Sequence, residues 1–143
     1  MDRDKLTPTE AYIHQEEGFR SKPYRCTSGA LTIGIGYNLD AGMPFDEAVL
    51  LMRHRIDKIR RALLERLEWF PKLNEARQAA LVSMAFQMGL AGLLSFKRTL
   101  ASIAAGDYEQ ASREMLESKW ARQTPERAQR TAYMMRYGKF PAT

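Results

Sequence analysis

Three side chains able to take part in bond-breaking chemistry stand close together near the N-terminus. Glu17 offers a carboxylic acid, Cys26 a thiol and Thr32 a hydroxyl, all within EGFRSKPYRCTSGALTIGIGY. A carboxylic acid that keeps its proton near neutrality protonates a leaving group, while a thiolate or hydroxyl opposite it activates water, holds water or attacks directly. Each has an ordinary alternative. Most glutamates are solvated surface acids, and a free cysteine is commonly a small buried hydrophobe. Cys26 is the sole cysteine, which rules out an internal disulfide. His14 and His54 make no zinc-type spacing with it, so neither a metal nor another cofactor is expected. The GIG of TIGIGY lacks the glycine pattern that cradles phosphates.

These residues need elements to aim them. A helix over Pro8–Glu17 is predicted from three local signals: Thr7 as N-cap, Glu10 completing a Thr-x-x-Glu capping box, and Pro8 at the first helical position. Gly18 stops it. Glu17 then sits at the negative end of the helix dipole, which disfavours a carboxylate and helps hold a proton there. Residues 18–30 carry Pro23, Ser28 and Gly29 and read as loop and hairpin. Tyr24 to Thr27 forms one strand, Ser28-Gly29 the turn and Leu31 to Tyr37 the partner strand. In that partner, Leu31, Ile33 and Ile35 alternate with Thr32, Gly34 and Gly36. The glycine face is either a ligand-facing surface or a sharp sheet bend at a packing contact.

Downstream the chain reads as helical. NLDAGM at 38–43 is a linker. Pro44 to about Leu67 is a long helix, with Ala48, Leu51, Met52, Ile56, Ile59, Leu63 and Leu67 recurring at three- and four-residue steps. Another helix begins at Asn74, is apolar nearly all round and stops at Gly89. That leaves Gln87 as a polar group at the end of a buried helix, either satisfied structurally or facing a cleft. Short helical pieces follow around Ala91 to Leu94 and Phe96 to Ala105. Asp107 caps a helix reaching Lys119. Thr124 caps a last one, with Pro125 at its first position and Gly138 at its end.

With 143 residues the chain fits one domain, and 45% hydrophobic with 27% charged residues describes an ordinary globular composition. No apolar run approaches about 18 residues, the length of a membrane-spanning helix. The polar start, MDRDKLTPTEAY, has no apolar segment of signal-peptide type, so synthesis in a cytoplasm is expected. The net charge of +5 points to an anionic partner: nucleic acid, a membrane surface or a cell wall. No nucleic-acid-binding motif or aromatic stacking platform is recognisable. The last segment is the most basic, with Lys119, Arg122, Arg127, Arg130, Arg136 and Lys139 against the single acid Glu126. It is either a packed helix with a solvated cationic edge or one that also meets an anionic outer-membrane surface.

Three blocks together resemble the phage-type lysozymes, glycoside hydrolase family 24: EG at 17–18 with the CTSG turn and TIGIGY, QAALVSMAFQMG at 78–89, and SKWARQTPERAQR at 118–130. The family site has Glu, eight residues, Asp or Cys, five residues, then Thr, and Glu17, Cys26 and Thr32 fit that spacing. The resemblance implies an endolysin that hydrolyses the β-1,4 bond between N-acetylmuramic acid and N-acetylglucosamine in bacterial peptidoglycan. It acts as a monomer without nucleic acid, on the cell wall in the periplasm once the membrane is permeabilised. It also implies a two-lobed, mostly helical α+β fold with a cleft between the lobes. A small β lobe is expected over about 18–43, a linking helix over 44–67, and a helical lobe over 74–143 with 1–17.

On this resemblance Glu17 is the general acid, and Arg127 matches the family arginine beside it. An adjacent guanidinium favours the ionised carboxylate, so its expected task is orientation. Cys26 replaces the more familiar Asp. It is a thiolate base for water, a nucleophile toward the anomeric carbon, or a group that positions water with Thr32 while Glu17 does most of the work. Phe86 and Gln87 match cleft-lining positions and are candidates for sugar contacts. Trp120 matches an aromatic packed behind the cleft. Tyr37 stands where many relatives have His. Two other activities remain open: a lytic transglycosylase, which needs one Glu and no second carboxylate, and a binding module that recognises wall sugars without cutting.

Overall fold

The structure, a computed structural model, describes residues 5–142. The capping box forms as written. Glu10 N donates to Thr7 Oγ1 and Thr7 N to Glu10 Oε2, both at 3.2 Å. These bonds satisfy two amides that a helix start leaves orphaned, and they open α1 (Pro8–Glu17). Gly18, at φ +70°, ends α1 with its N–H on His14 O.

Three antiparallel strands follow in the order β1-β2-β3: β1 (Arg20–Arg25), β2 (Leu31–Gly34) and β3 (Tyr37–Asn38). The register pairs Tyr24 with Thr32 and Ile33 with Tyr37. The alternation over 31–37 predicted one strand, but β2 ends at Gly34. Gly34 and Gly36 adopt φ +68° and +69°, so the chain turns back between them. The glycines mark a turn and not the bare face of a longer strand. The linker begins one residue late, because Asn38 belongs to β3.

α2 (Phe45–Arg66) carries the three- and four-residue apolar steps, and Leu63 on it is fully buried. The chain divides into two compact units between Leu50 and Leu51. The first contains α1 and the sheet. The second contains most of α2, a 3-10 turn at Phe70–Lys72 and, among the described residues, five further helices: α3 (Glu75–Leu94), α4 (Lys97–Ala104), α5 (Tyr108–Leu116), α6 (Lys119–Gln123) and α7 (Pro125–Tyr137).

Ala80 on α3, Ala111 on α5 and Ala128 on α7 have no exposed surface, and such small side chains let helix backbones approach closely. Around them the fully buried Leu81, Met84, Met115 and Met135 fill the core. Asn74 caps α3 by accepting from Arg77 N at 3.0 Å. Its amide also donates to Gly138 O at 2.8 Å, tying the start of α3 to the end of α7. Arg77 reinforces that junction, with Nε on Met135 O and Nη2 on Arg136 O. The α3 backbone breaks at Gly89 (φ 84°, ψ 160°), the expected stop, and resumes to Leu94.

Three further expectations change. The first strand runs over Arg20–Arg25 and not Tyr24 to Thr27, because Cys26 and Thr27 belong to the turn closed by the Gly29 N bond to Cys26 O. The helix after Asp107 ends at Leu116, because Ser118 accepts from Ala121 N and starts α6. Thr124 takes the N-cap position of α7, but its hydroxyl donates backward to Trp120 O at 3.0 Å and makes no cap bond. Among the described residues the chain is mostly helical with one small sheet, an α+β architecture.

Candidate active site

Glu17 is the last residue of α1, and its exposed side chain lies over the backbone of Gly36. A Cβ placed on Gly36 stands 2.7 Å from Glu17 Cδ and 3.0 Å from its Cγ, closer than real atoms pack. Gly36 is therefore needed twice, for its positive φ and for the room it leaves the carboxyl. The turn between β2 and β3 forms the floor under the Glu17 carboxyl.

Cys26 sits at the head of the β1–β2 connection. Cys26 N donates to Ala30 O at 3.0 Å, and Gly29 N donates to Cys26 O at 2.8 Å with Gly29 at φ +88°. Asp40 braces the far side, its Oδ2 accepting from Leu31 N at 2.8 Å. Arg25 adds a bond to Gly29 O at 3.1 Å. In this frame Cys26 Sγ lies 3.0 Å from Ser28 Oγ. A hydroxyl aimed at sulfur favours the thiolate. The Ser28 side chain, then the Ser28 backbone, then the Thr32 side chain lower the Cys26 pKa from 9.0 to about 7. Burial opposes this without reversing it.

Thr32 is buried at 4% exposure, and its Oγ1 donates to Ala30 O at 2.9 Å. A threonine carries one hydroxyl proton, so Thr32 serves Ala30 O or Cys26 Sγ at any instant, not both. Ser28 is thus the more dependable donor to sulfur. In the sequence Ser28 reads only as a turn residue, although a hydroxyl two positions after a free cysteine is a usable signal.

Tyr37 donates its phenol proton to Glu47 Oε2 near the start of α2. That hydrogen bond, then desolvation and the charge of Glu47, raises the Tyr37 pKa. Neither the Tyr37–Glu47 pair nor the packing of Glu17 on Gly36 was apparent from spacing.

The other candidate residues belong to the second unit. Gln87, exposed on α3, accepts at Oε1 from Trp120 Nε1 at 2.8 Å. The bond assigns the amide: its oxygen faces the indole, and its NH₂ keeps two donors available. Trp120 is 8% exposed and meets Phe96 edge-on, with ring centroids 6.1 Å apart. Phe86 is half-buried, with the Arg55 guanidinium 5.6 Å above its ring. Arg127 Nη2 donates to Ser83 O at 3.2 Å and to Ser83 Oγ at 3.0 Å. Glu17, Cys26 and Thr32 therefore share one unit, and Phe86, Gln87, Trp120 and Arg127 share the other.

Chemically, the first unit offers an acid seated on a glycine floor and a thiol poised to ionise at neutral pH. Residues 14–133 match the family model described as phage lysozyme. Over 88% of its length the chain is 28% identical to the pre-baseplate central spike protein Gp5 of Enterobacteria phage T4, covering 27% of that longer protein. It is equally 28% identical to the probable T4-type lysozyme 1 of Dictyostelium discoideum, over 88% of this chain and 92% of that one. An endolysin of Acyrthosiphon pisum secondary endosymbiont phage 1 is 31% identical over 77% of this chain and 75% of its own.

Proposed function

The chain belongs to the phage lysozyme family, and from that premise we propose that it is an endolysin hydrolysing the β-1,4 bond between N-acetylmuramic acid and N-acetylglucosamine in bacterial peptidoglycan. The observation that carries this reading is the extent of the match. Residues 14–133 include every residue given a role below, from Glu17 to Gln87.

Glu17 donates its proton to the departing glycosidic oxygen as the bond to the anomeric carbon breaks. Water attacks that carbon from the opposite face and gives its proton to the Cys26 thiolate. The products are two shorter glycans, one with a new reducing end. Proton exchange with solvent then returns Glu17 to the acid and Cys26 to the thiolate. The ionisation of Cys26 at about 7 supports the base role, since a base must be substantially deprotonated where the enzyme works. Thr32 helps hold the attacking water, and Phe86 and Gln87 contribute sugar contacts.

Reducing-end release from purified peptidoglycan tests the assignment. Glu17→Gln keeps the shape and removes the proton, and is expected to lower the rate by at least about 100-fold, the usual scale of a lost general acid. A Glu17→Gln protein as active as the wild type removes the assignment.

A further inference from the structure

We propose that Tyr37 and Glu47 are positioning residues for the general acid: their hydrogen bond pins the turn whose Gly36 backbone seats the Glu17 carboxyl. The inference rests on the reading of Glu17 as that acid.

The turn needs a pin. It joins β2 to a strand of two residues, and both Gly34 and Gly36 lie in the positive-φ region, where glycine has its greatest backbone freedom. Among the described residues β3 is the last strand of the sheet and pairs with β2 alone. Its ladder is two residue pairs, Ile33 with Tyr37 and Thr32 with Asn38, with one further bond past them from Leu39 N to Leu31 O at 2.7 Å, at the end away from the turn. A hairpin that small holds its tip weakly.

Tyr37 follows Gly36 directly, so whatever fixes Tyr37 fixes the exit of the turn. Its phenol oxygen reaches Glu47 Oε2, and it lies 3.5 Å from Gly42 O. Glu47 belongs to the first turn of α2, where the helix dipole favours a negative charge. A carboxylate held there is a strong acceptor for a neutral phenol. The raised pKa of Tyr37 keeps the phenol a donor across the working range. The rigid end of a 22-residue helix thus grips the residue beside Gly36.

The grip reaches the acid because nothing intervenes. Gly36 has no side chain to cushion a shift, and the Glu17 carboxyl rests where its Cβ would be. A turn that moves by about 1 Å moves that seat, and misplacements of this size can cost about 100-fold in rate. Tyr37 and Glu47 make no claim to touch the sugar, so the effect belongs in kcat and not in KM.

Steady-state kinetics on a soluble peptidoglycan oligomer test this, with circular dichroism confirming that each variant is folded. Tyr37→Phe, which deletes only the hydroxyl, is expected to lower kcat about tenfold and leave KM within about twofold. Glu47→Ala removes the acceptor from the other side and reproduces the loss, which covers the case of an unfolded Tyr37→Phe. Glu47→Gln keeps a carbonyl acceptor and is expected to restore at least about half of wild-type kcat. A folded Tyr37→Phe with wild-type kcat overturns the inference, as does a rise in KM at unchanged kcat. Glu17→Gln run alongside separates the two claims. An inactive Glu17→Gln with a fully active Tyr37→Phe removes only the positioning role. A fully active Glu17→Gln removes the acid assignment and the positioning role with it.

Discussion

The role of Cys26 is testable through the one neighbour that tunes it most. Ser28 Oγ lies 3.0 Å from the sulfur and leads the interactions that bring the thiol from 9.0 to about 7. The shift is downward, so the ionised form gains: base activity is present above about 7 and is lost as pH falls through it. A group at 7 is about 9% ionised at pH 6, half ionised at pH 7 and about 91% ionised at pH 8, so the thiolate fraction, and with it the base contribution to the rate, should climb about tenfold between pH 6 and 8. Ser28→Ala removes the hydroxyl and moves this limb upward toward 9.0. At the limit of 9.0 the thiolate at pH 7 is about 1%, which bounds the loss at about 50-fold. Activity relative to the wild type at the same pH should recover as pH is raised, which an unfolded variant cannot imitate. Cys26→Asp should instead carry the limb down toward about 4, the ordinary carboxylate range. The assay is the initial rate of reducing-end release from pH 5 to 9 at constant ionic strength, with thiolate ultraviolet absorbance followed on the same samples. A limb that Ser28→Ala leaves in place, or a Cys26→Ala protein of full activity, refutes the base assignment.

Other perturbations separate seating from stability. Gly36→Ala forces an L-residue to φ +69° and drives its Cβ into the Glu17 carboxyl. Backbone strain of about 1–2 kcal/mol should appear in urea unfolding, and kcat should fall by more than that loss of folded protein explains. Asn74→Ala removes both the α3 cap and the bond to Gly138 O, and should cost about 1–2 kcal/mol with unchanged kinetics at temperatures well below melting. Trp120→Phe deletes the indole N–H that orients Gln87. Trp120 is also buried against Phe96, so the smaller ring loses packing and stability should fall by about 1–3 kcal/mol, while KM for glycan rises about threefold if Gln87 presents its amide to sugar.

Features written in neighbouring residues were legible in the sequence. The Thr7–Glu10 box, the stops at Gly18 and Gly138, the helix start at Asn74 and the break at Gly89 each depend on a few adjacent side chains and a glycine's freedom. The three- and four-residue apolar steps gave α2 nearly to its ends. Spacing alone put Glu17, Cys26 and Thr32 forward as a candidate set. Contacts between distant segments were not legible. Leu31, Ile33 and Ile35 alternate as a strand should, yet the chain turns at Gly34, and a contact with Glu17 on another element explains why residue 36 is glycine. Thr124 had the identity of a cap, but a carbonyl of α6 lay nearer to its hydroxyl's reach. The Tyr37–Glu47 bond links a strand to a helix ten positions on, with no periodic pattern to mark it.

The chemical form of the cut ends bears most directly on the central claim. Purified peptidoglycan digested by the wild-type protein, reduced with borohydride and analysed by mass spectrometry distinguishes a water-derived end from an internal one. Hydrolysis predicts reducible N-acetylmuramic acid ends that carry the label when the digest is run in ¹⁸O-water, and their disappearance in Glu17→Gln. Unlabelled 1,6-anhydro ends contradict the account, because they mean that the sugar's own hydroxyl, and not a water activated beside Cys26, attacked the anomeric carbon.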